Sequence, residues 1–333
     1  MTAPIITFFN NKGGLGKTSL VYHIAWMLAE IGKRVVVADL DPQANLTSAF
    51  LREEQVEQIW LDGDSRATIW GAVRPLQEGE GPVGAAPLVE VGDERLQLIP
   101  GDLTLSSFED ELSGRWAECL DRKVLAFRIT TAFWTILAEA ADRHEADVVL
   151  VDVGPGLGAM NRAVLVASDY VVIPVAADVF SLQGLRNLGP RLRGWREGWE
   201  ERKKKQPASI NQLPTGRMDV LGYIVMGHGV RLGRPVQAYE RWVKHIPGEF
   251  RASVLDEPRE LAPPVAEDPY CLAQLKHYRS LIPLGQEAHK PIFALKAADG
   301  AFGGHFQAAQ RAYQDFRGLT ERILQSLATH DFG

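Results

Sequence analysis

Short apolar runs alternate along the chain with longer segments whose apolar residues recur every three or four positions. The first pattern is typical of buried strands, and the second is typical of helices that pack along one face. Strands alternating with helices predict an α/β fold, a mostly parallel twisted sheet with helices on both faces. The predicted strands are Ile5–Phe9, Arg34–Ala38, Leu96–Pro100, Val148–Val151, Val171–Val175 and Val220–Met226.

Segments with helical spacing lie between or after these runs. The first extends from Leu20 to Ile31, and Gly32 can end it because glycine tolerates the left-handed conformation of a helix C-terminus. The other predicted helices are Leu105–Leu112, Val124–Ala141, Asp178–Arg193, Pro235–His245, Leu272–Tyr278 and Gly304–Leu327.

Two stretches interrupt this alternation. Residues 52–95 are rich in Glu, Gly and Pro, and we expect an irregular insertion with one short helix near Thr68–Val73. Residues 247–280 form a second, Pro- and Glu-rich insertion. A length of 333 residues suits a single domain spanning 1–333 with both insertions. Because no run of about 18 apolar residues occurs, we expect no membrane span.

A glycine-rich loop directly follows the first predicted strand and leads into the first predicted helix. The sequence Lys12-Gly13-Gly14-Leu15-Gly16-Lys17-Thr18-Ser19 fits the P-loop pattern, with an additional lysine, Lys12, at its start. Backbone N–H groups in such a loop, together with the helix dipole, bind phosphate. We therefore expect Lys17 to reach the β- and γ-phosphates of a nucleotide and the Thr18 hydroxyl to bind Mg²⁺, as in a P-loop NTPase.

Acidic residues follow two other predicted strands. Asp39 and Asp41 come after Arg34–Ala38, and Asp152 comes directly after Val148–Val151. The carboxyl ends of strands in open α/β sheets are where ligands bind, and an apolar strand that ends in Asp is the Walker B arrangement for Mg²⁺. The simpler interpretation, a turn or helix-capping role, is weakened by the P-loop upstream.

The composition restricts the partners and the compartment. A net charge of −6 means that any nucleic-acid-binding surface would have to be local. Only two cysteines, Cys119 and Cys271, occur, and they lie far apart in the sequence. They suggest a reducing compartment, and with no signal segment visible before Ile5 we expect a cytoplasmic protein.

A basic run follows the predicted helix Asp178–Arg193. The run contains Arg191, Arg193, Arg196, Arg202, Lys203, Lys204 and Lys205, interrupted by three glutamates. It is either a solvated helix end with a linker or a patch for DNA or an acidic partner, and the sequence leaves both open. Trp195 and Trp199, four residues apart, are more typical of core residues than of base-stacking residues.

Four motifs resemble the ParA/MinD group of deviant Walker A ATPases, and ParA-type partition proteins more than MinD. They are KGGLGKTS at Lys12–Ser19, DLDPQANLT at Asp39–Thr47, LQLIPGDLTLSSFEDEL at Leu96–Leu112 and VVLVDVGPGLGAMNRAVLVASDYVVIPV at Val148–Val175. FSLQGL at Phe180–Leu185 fits too, and LGYIVM at Leu221–Met226 and EAHKPIFAL at Glu287–Leu295 fit more loosely.

The resemblance implies roles for individual residues. Lys12 would be the signature lysine that reaches the partner subunit's phosphates in an ATP-bound homodimer. Asp41 would position or activate the attacking water, and Asp152 would be the switch acid near Mg²⁺, so that Thr18, Asp41 and Asp152 surround the metal. ATP binding would close the dimer and hydrolysis would open it, slowly until a ParB-like partner protein stimulates turnover.

Some features of the sequence depart from the family pattern, and they leave the cargo of this protein undecided. The turn after Asp152 reads Val-Gly-Pro rather than a Pro-Pro pair, and both insertions are long. One hypothesis is a partition switch whose ATP dimer binds nucleoid DNA without sequence preference, through Arg191–Lys205 and through Arg231, Arg234, Arg241 and Lys244. The alternative is a switch that acts on a dedicated protein partner without DNA. A MinD-like membrane switch is a weaker third hypothesis, because the sequence shows no basic amphipathic tail. An iron–sulfur reductase is nearly excluded, because neither Cys119 nor Cys271 lies near a matching motif.

Overall fold

The computed structural model describes residues 3–61, 67–228, 236–278 and 280–330. The chain divides into two compact units. The first comprises residues 1–9, 28–171 and 191–219, and the second comprises residues 10–27, 172–190 and 220–333.

Strands form where the apolar runs predict them, with two additions at β3 and β8. The strands are β1 (Ile5–Phe8), β2 (Val35–Asp39), β3 (Val89–Glu90), β4 (Leu96–Ile99), β5 (Val148–Asp152), β6 (Tyr170–Ala176), β7 (Asp219–His228) and β8 (Cys271–Lys276).

Helices lie between most of the strands. They are α1 (Lys17–Glu30), α2 (Asn45–Phe50), α3 (Glu53–Leu61), α4 (Ile69–Gln77), α5 (Phe108–Glu118), α6 (Val124–Thr130), α7 (Ala132–His144), α8 (Ala159–Ala167), α9 (Val179–Lys203), α10 (Val236–Val243), α11 (Ile246–Phe250), α12 (Ile282–Ala288) and α13 (Gly304–His330).

The strands of the first unit are ordered β3-β4-β2-β5-β1. The pairs β1–β5, β2–β5 and β2–β4 are parallel, and the short β3 is antiparallel to β4. Every residue of β1, β2 and β5 is buried, although successive side chains point to opposite faces. Both faces of these strands are therefore covered, and the predicted α/β fold with a mostly parallel sheet is confirmed.

The second unit contains the strands in the order β6-β7-β8. Strands β7 and β8 pair in parallel with irregular register at Tyr223–Ile224 and Val225–His228. The long helix α13 packs on β8 and on a 3₁₀ turn at Ile292–Ala294. His23 of α1 lies in this unit, with its imidazole stacked on Phe316 of α13 at a centroid distance of 4.8 Å.

Three expectations about single elements are wrong. Residues 52–95 contain two helices, α3 and α4, rather than one short helix, and also the strand β3. The helix predicted at Val124–Ala141 is two helices, because Thr131 leaves helical geometry with φ −105° and ψ 10°. The segment Leu272–Tyr278, predicted as helical, lies largely in strand β8. Whether the chain functions as one domain stays a prediction.

Among the described residues, no single helix is long and apolar enough to cross a membrane. One bent pair, α6 with α7, passes that test by length and composition when taken together, with 59° between its members. Most residues of both helices are buried, which is also typical of core helices.

Candidate functional site

The glycine-rich loop of the second unit has the backbone geometry that its sequence predicts. Gly14 and Gly16 have φ values of +73° and +78°, in the left-handed region that side chains disfavour. Between them Leu15 is buried, and it anchors the loop. A Cβ on Gly14 would meet no atom within 4 Å, so the space over this glycine is open.

Helix α1 begins at Lys17, immediately after this loop, and carries no acidic residue in its first turn. Its positive dipole end is therefore not offset by a local carboxylate. The Lys17 side chain is only 7% exposed and turns back along the loop, with Nζ 3.2 Å from the backbone oxygen of Asn10. Thr18 is half-buried and Ser19 is exposed. This arrangement can bind a phosphate group.

Lys12, the additional lysine, forms an ion pair in its own chain. Its Nζ lies 2.5 Å from Oδ2 of Asp178, just before α9, and 5.7 Å from the ring centroid of Phe180. Burial alone would raise the pKa of Asp178, but hydrogen bonds from Lys12 and from the Ser181 N–H hold the pKa below its usual value. Phe180 is 72% exposed, so Lys12 lies beside an uncovered aromatic ring.

A cavity of about 460 Å³ in the second unit borders the P-loop at Gly14, Gly16 and Ser19. The apolar part of its lining includes Leu20, Met226, Leu275, Ile292 and Phe316. A mostly apolar pocket beside a phosphate-binding loop suits the organic part of a phosphorylated ligand.

In the first unit, Asp39 is fully buried at the end of β2. Its Oδ2 accepts hydrogen bonds from the N–H and the hydroxyl of Thr47, at 2.8 and 2.7 Å. Burial raises the pKa of Asp39 to about 6, although both Thr47 hydrogen bonds favour the charged form. Asp39 therefore organises the start of α2, in the capping role that the simpler interpretation gave it.

Asp41 lies two residues further on and is 7% exposed. Its Oδ1 accepts a hydrogen bond from the Gln43 N–H at 3.0 Å, which forms a local turn. A Cβ on Gly154 would lie 3.0 Å from that same Oδ1, so Asp41 packs closely against the turn that follows β5.

Asp152 ends β5 and is fully buried. In the parallel pairing of β2 with β5 it lies opposite Asp39, and its backbone oxygen accepts a hydrogen bond from the Leu40 N–H at 2.9 Å. The first unit thus brings Asp39, Asp41 and Asp152 together at the carboxyl ends of adjacent strands, as the sequence predicts.

The described residues contain no group of three or more His, Cys, Asp or Glu side chains placed to hold a metal ion. A nucleotide-bound Mg²⁺ does not need such a group, because phosphate oxygens and waters supply most of its ligands. The oxygen donors of Thr18, Asp41 and Asp152 are of the type that Mg²⁺ prefers. The chemistry of these donors therefore suits a magnesium nucleotide, and their joint role stays a prediction.

Sequence reasoning missed two residues that hold the turn after Asp152. The Asn161 side-chain amide donates to the backbone oxygens of Gly154 and Gly156, at 2.9 and 3.1 Å. Both oxygens of Glu109 accept hydrogen bonds from the first N–H groups of α8. Both residues lie inside motifs that carry the family resemblance, but spacing alone gave neither a role.

The basic run lies on α9 and just after it, and much of it is engaged within the first unit. Arg196 donates to the backbone oxygens of Arg217 and Met218. Arg202 stacks 3.9 Å from the ring centroid of Trp116 and donates to its backbone oxygen. Lys203 contacts Glu200 and the backbone oxygen of Thr215. Exposed members of the run are Arg191, Lys204 and Lys205.

The four other cations proposed for the DNA surface fall into two pairs, one exposed and one outside the described part of the chain. Arg241 and Lys244 are exposed, whereas Arg231 and Arg234 lie outside the described residues. Trp195 and Trp199 are 7% and 0% exposed, which confirms that they are core residues rather than base-stacking residues.

Comparison with known proteins places the chain in a family. A family model described as an AAA domain, AAA_31, matches residues 3–202, more than half of the chain. The chain belongs to this family. Relatives confirm the resemblance to ParA-type partition ATPases of the ParA/MinD group.

Three curated relatives illustrate the match. The sporulation initiation inhibitor protein Soj of Bacillus subtilis is 32% identical over 55% of this chain and 62% of its own length. The chromosome-partitioning ATPase Soj of Thermus thermophilus is 30% identical, over 59% and 64%. The chromosome partitioning protein ParA of Myxococcus xanthus is 30% identical, over 55% and 56%. The chain thus spans less than two thirds of the length of each.

Solved structures of similar fold cover nearly the whole chain. A Corynebacterium diphtheriae protein gives a TM-score of 0.70 at 25% identity, over 97% of this chain and 98% of that one. Two others show the shared fold alone. A Cyanothece McdA variant in complex with ATP has a TM-score of 0.63 at 13% identity, over 98% and 97%. A Borrelia burgdorferi plasmid partition protein bound to AMPPNP has a TM-score of 0.56 at 17% identity, over 98% and 99%.

Proposed function

We propose that this family member is an ATP-dependent molecular switch that hydrolyses ATP to drive DNA segregation or the positioning of a cargo. The observation that carries the proposal is the P-loop, where the glycines at positive φ lead directly into Lys17 at the first position of α1. The names of the Soj and ParA relatives and the ATP and AMPPNP complexes of the McdA and Borrelia proteins support it.

Phosphate binding is assigned to Gly13–Ser19. The backbone N–H groups of the loop and of the first turn of α1 would donate to phosphate oxygens, and Lys17 would supply positive charge at the β- and γ-phosphates. The adenosine would occupy the apolar cavity beside Gly14 and Gly16.

Binding of Mg²⁺ and orientation of the attacking water are assigned to three side chains with oxygen donors. When bound, Mg²⁺ neutralises charge on the β- and γ-phosphates. The Thr18 hydroxyl and the Asp152 carboxylate would hold the ion, and Asp41 would lie beside it and orient the attacking water. Gly154 lets Asp41 approach the turn after Asp152 closely, so the water-orienting carboxylate would be fixed by packing.

Lys12 is assigned a role in trans. In an ATP-bound homodimer its ammonium would leave Asp178 and reach the partner's phosphates, where it would act as an arginine finger does. We expect slow turnover without a ParB-like activating protein, because a switch that hydrolyses ATP rapidly cannot stay closed.

Binding of nonspecific DNA by the ATP dimer is the preferred route to cargo movement. The exposed cations Arg191, Lys204 and Lys205 support it, since two copies in a dimer would double the phosphate contacts. The alternative is a switch for a dedicated protein partner. It is favoured by the ordered elements α3 and α4, because they give the first insertion a folded surface.

Calorimetry of ATP binding to Lys17→Ala tests the nucleotide assignment. We expect ATP affinity to fall by about 100-fold, because a charge-assisted contact to phosphate is lost. Lys33→Ala is a matched control, since Lys33 follows α1 and its side chain makes an exposed pair with Asp147. Equal ATP affinity in all three proteins would overturn the assignment.

A gel shift with Asp41→Ala and ATP separates the two cargo hypotheses. This variant should accumulate the ATP dimer because hydrolysis is blocked. Retardation of duplex DNA at low salt, lost at high salt, supports partition along DNA. A stable ATP dimer that leaves DNA unretarded supports the dedicated protein partner.

A further inference from the structure

We infer that Glu109 is a positioning residue for ATP hydrolysis, which fixes the turn after Asp152 against which Asp41 packs. This inference rests on the proposed ATPase function. Glu109 lies in the first turn of α5, outside the groups assigned to phosphate, metal and water.

The Glu109 carboxylate binds the start of α8. Its Oε1 accepts a hydrogen bond from the Ala159 N–H and its Oε2 accepts one from the Met160 N–H, each at 2.6 Å. Hydrogen bonds to a carboxylate are about twice as strong as neutral ones. The first turn of α8 is therefore held by a residue 50 positions away in the sequence.

The start of α8 has no cap of its own. Its N-cap position is Gly158, which has no side chain to accept a hydrogen bond, and its first turn contains no acidic residue. A Cβ on Gly158 would lie 2.4 Å from Glu109 Oε1, so the glycine makes room for the distant carboxylate. Capping by a local Ser or Asp would stabilise the helix equally well. Capping by the distant Glu109 also fixes the start of α8 relative to α5.

The start of α8 in its own way holds the turn that follows Asp152. Asn161 lies in the same first turn of α8, and its amide binds the backbone oxygens of Gly154 and Gly156. Gly154 in turn lies against Asp41. A shift of the start of α8 would therefore move the surface on which the water-orienting carboxylate rests, and small displacements of this kind reduce rates strongly.

A second contact holds α8 to α5 without Glu109. The Arg162 guanidinium lies 4.5 Å from the ring centroid of Trp116 and donates to the Leu112 backbone oxygen at 3.2 Å. Loss of the Glu109 carboxylate should therefore release the first turn of α8 and leave the packing of the two helices intact.

Steady-state ATPase kinetics of Glu109→Gln test the inference. The amide keeps the shape but can accept only one of the two hydrogen bonds, so we expect kcat to fall about tenfold with the KM for ATP nearly unchanged. Glu111→Gln is the matched control, because Glu111 lies on the same helix and pairs with Arg115 of that helix. It should leave both constants as in the wild type.

The double variant Glu109→Ala/Gly158→Ser distinguishes positioning from capping. Serine suits the extended backbone at this N-cap, with φ −79° and ψ −174°, and removal of the Glu109 carboxylate makes room for it. We expect its Tm to recover relative to Glu109→Ala while kcat stays low. Recovery of both Tm and kcat in the double variant, or a wild-type kcat in Glu109→Gln, would overturn this inference and leave the proposed function standing. A wild-type protein without ATPase activity would overturn the proposed function and this inference with it.

Discussion

The Nζ of Lys12 lies 2.5 Å from Oδ2 of Asp178 in the same chain. The lysine proposed to act on a partner subunit is thus already bound in cis, and dimerisation would have to break this ion pair. Both side chains are about one-third exposed, so the pair contributes at most about 1 kcal/mol.

Removing the charge of Asp178 should favour the ATP dimer. In Asp178→Asn the side-chain oxygen can still accept the hydrogen bond from the Ser181 N–H, so the start of α9 should be preserved. Because each of the two subunits breaks one such pair, we expect the ATP-dependent dimer to form at up to about 30-fold lower protein concentration, measured by light scattering. Asp147→Asn, which removes the exposed pair with Lys33, is the control. A weaker dimer in Asp178→Asn would contradict the trans role of Lys12.

Gly154→Ala should impair hydrolysis more than nucleotide binding. The added Cβ would lie 3.0 Å from Oδ1 and 3.3 Å from Cγ of Asp41, which forces the carboxylate to move. We expect turnover to fall by about tenfold or more, with ATP affinity in calorimetry changed little. Gly114→Ala is the control, because its Cβ would meet nothing within 4 Å on α5. If Gly154→Ala turns over normally, Asp41 does not need this contact.

His23 makes the free energy of unfolding dependent on pH. Its Nδ1 donates to the Ser19 backbone oxygen at 2.6 Å, and its Nε2 accepts from the Ile292 N–H at 3.1 Å, so the fold requires the neutral ring. Burial lowers the pKa of His23 to about 4, although the hydrogen bond to Ser19 favours the charged form. The unfolded chain binds this proton near pH 6.5, so stability is lost as pH falls from 6.5 towards 4.

Urea unfolding of His23→Asn at several pH values measures this contribution. The wild type should lose up to about 3 kcal/mol between pH 6.5 and pH 4 from this group. The variant should be less stable than the wild type at pH 7, because it loses ring packing on Phe316, and its stability should fall less steeply. Parallel pH profiles of the two proteins would show that His23 is not the titrating group.

Lys204→Glu with Lys205→Glu should weaken DNA binding by the ATP dimer. Both lysines are exposed beyond α9, whereas Arg196 and Arg202 bind backbone oxygens and serve the fold. We expect affinity to fall at least about tenfold and the dependence on salt concentration to become shallower, with ATP hydrolysis unchanged. The control for net charge is Arg52→Glu with Arg128→Glu, which reverses the charge of two exposed arginines elsewhere. Equal losses in both double variants would mean that binding depends on net charge alone.

The sequence predicted the elements that local patterns determine. The apolar runs Ile5–Phe9 and Val148–Val151 became the strands β1 and β5 because buried parallel strands need apolar residues on both faces. The P-loop was predictable because its glycines and Lys17 have fixed spacing. Asp39 and Asp152 were predictable as neighbours because both end strands of one parallel sheet.

Features that depend on distant contacts were not predictable. In β8, Leu272 and Leu275 lie three residues apart, a spacing that suits a helix as well as an irregular strand. The apolar spacing of Val124–Ala141 continues through Thr131 and does not show the break between α6 and α7. Glu109 looked like an ordinary helical glutamate, because its partners Ala159 and Met160 offer only backbone N–H groups, which no side-chain pattern records.

The approach of Glu109 to Gly158 has a consequence for how related chains can diverge. A glycine is needed at position 158 only while a glutamate at position 109 fills the space of its missing side chain. A lineage that loses the glutamate gains room for a serine or aspartate at position 158, whereas one that first gains a side chain there meets a clash. The two positions should therefore change together during evolution, the glutamate first, although 48 residues separate them in the sequence.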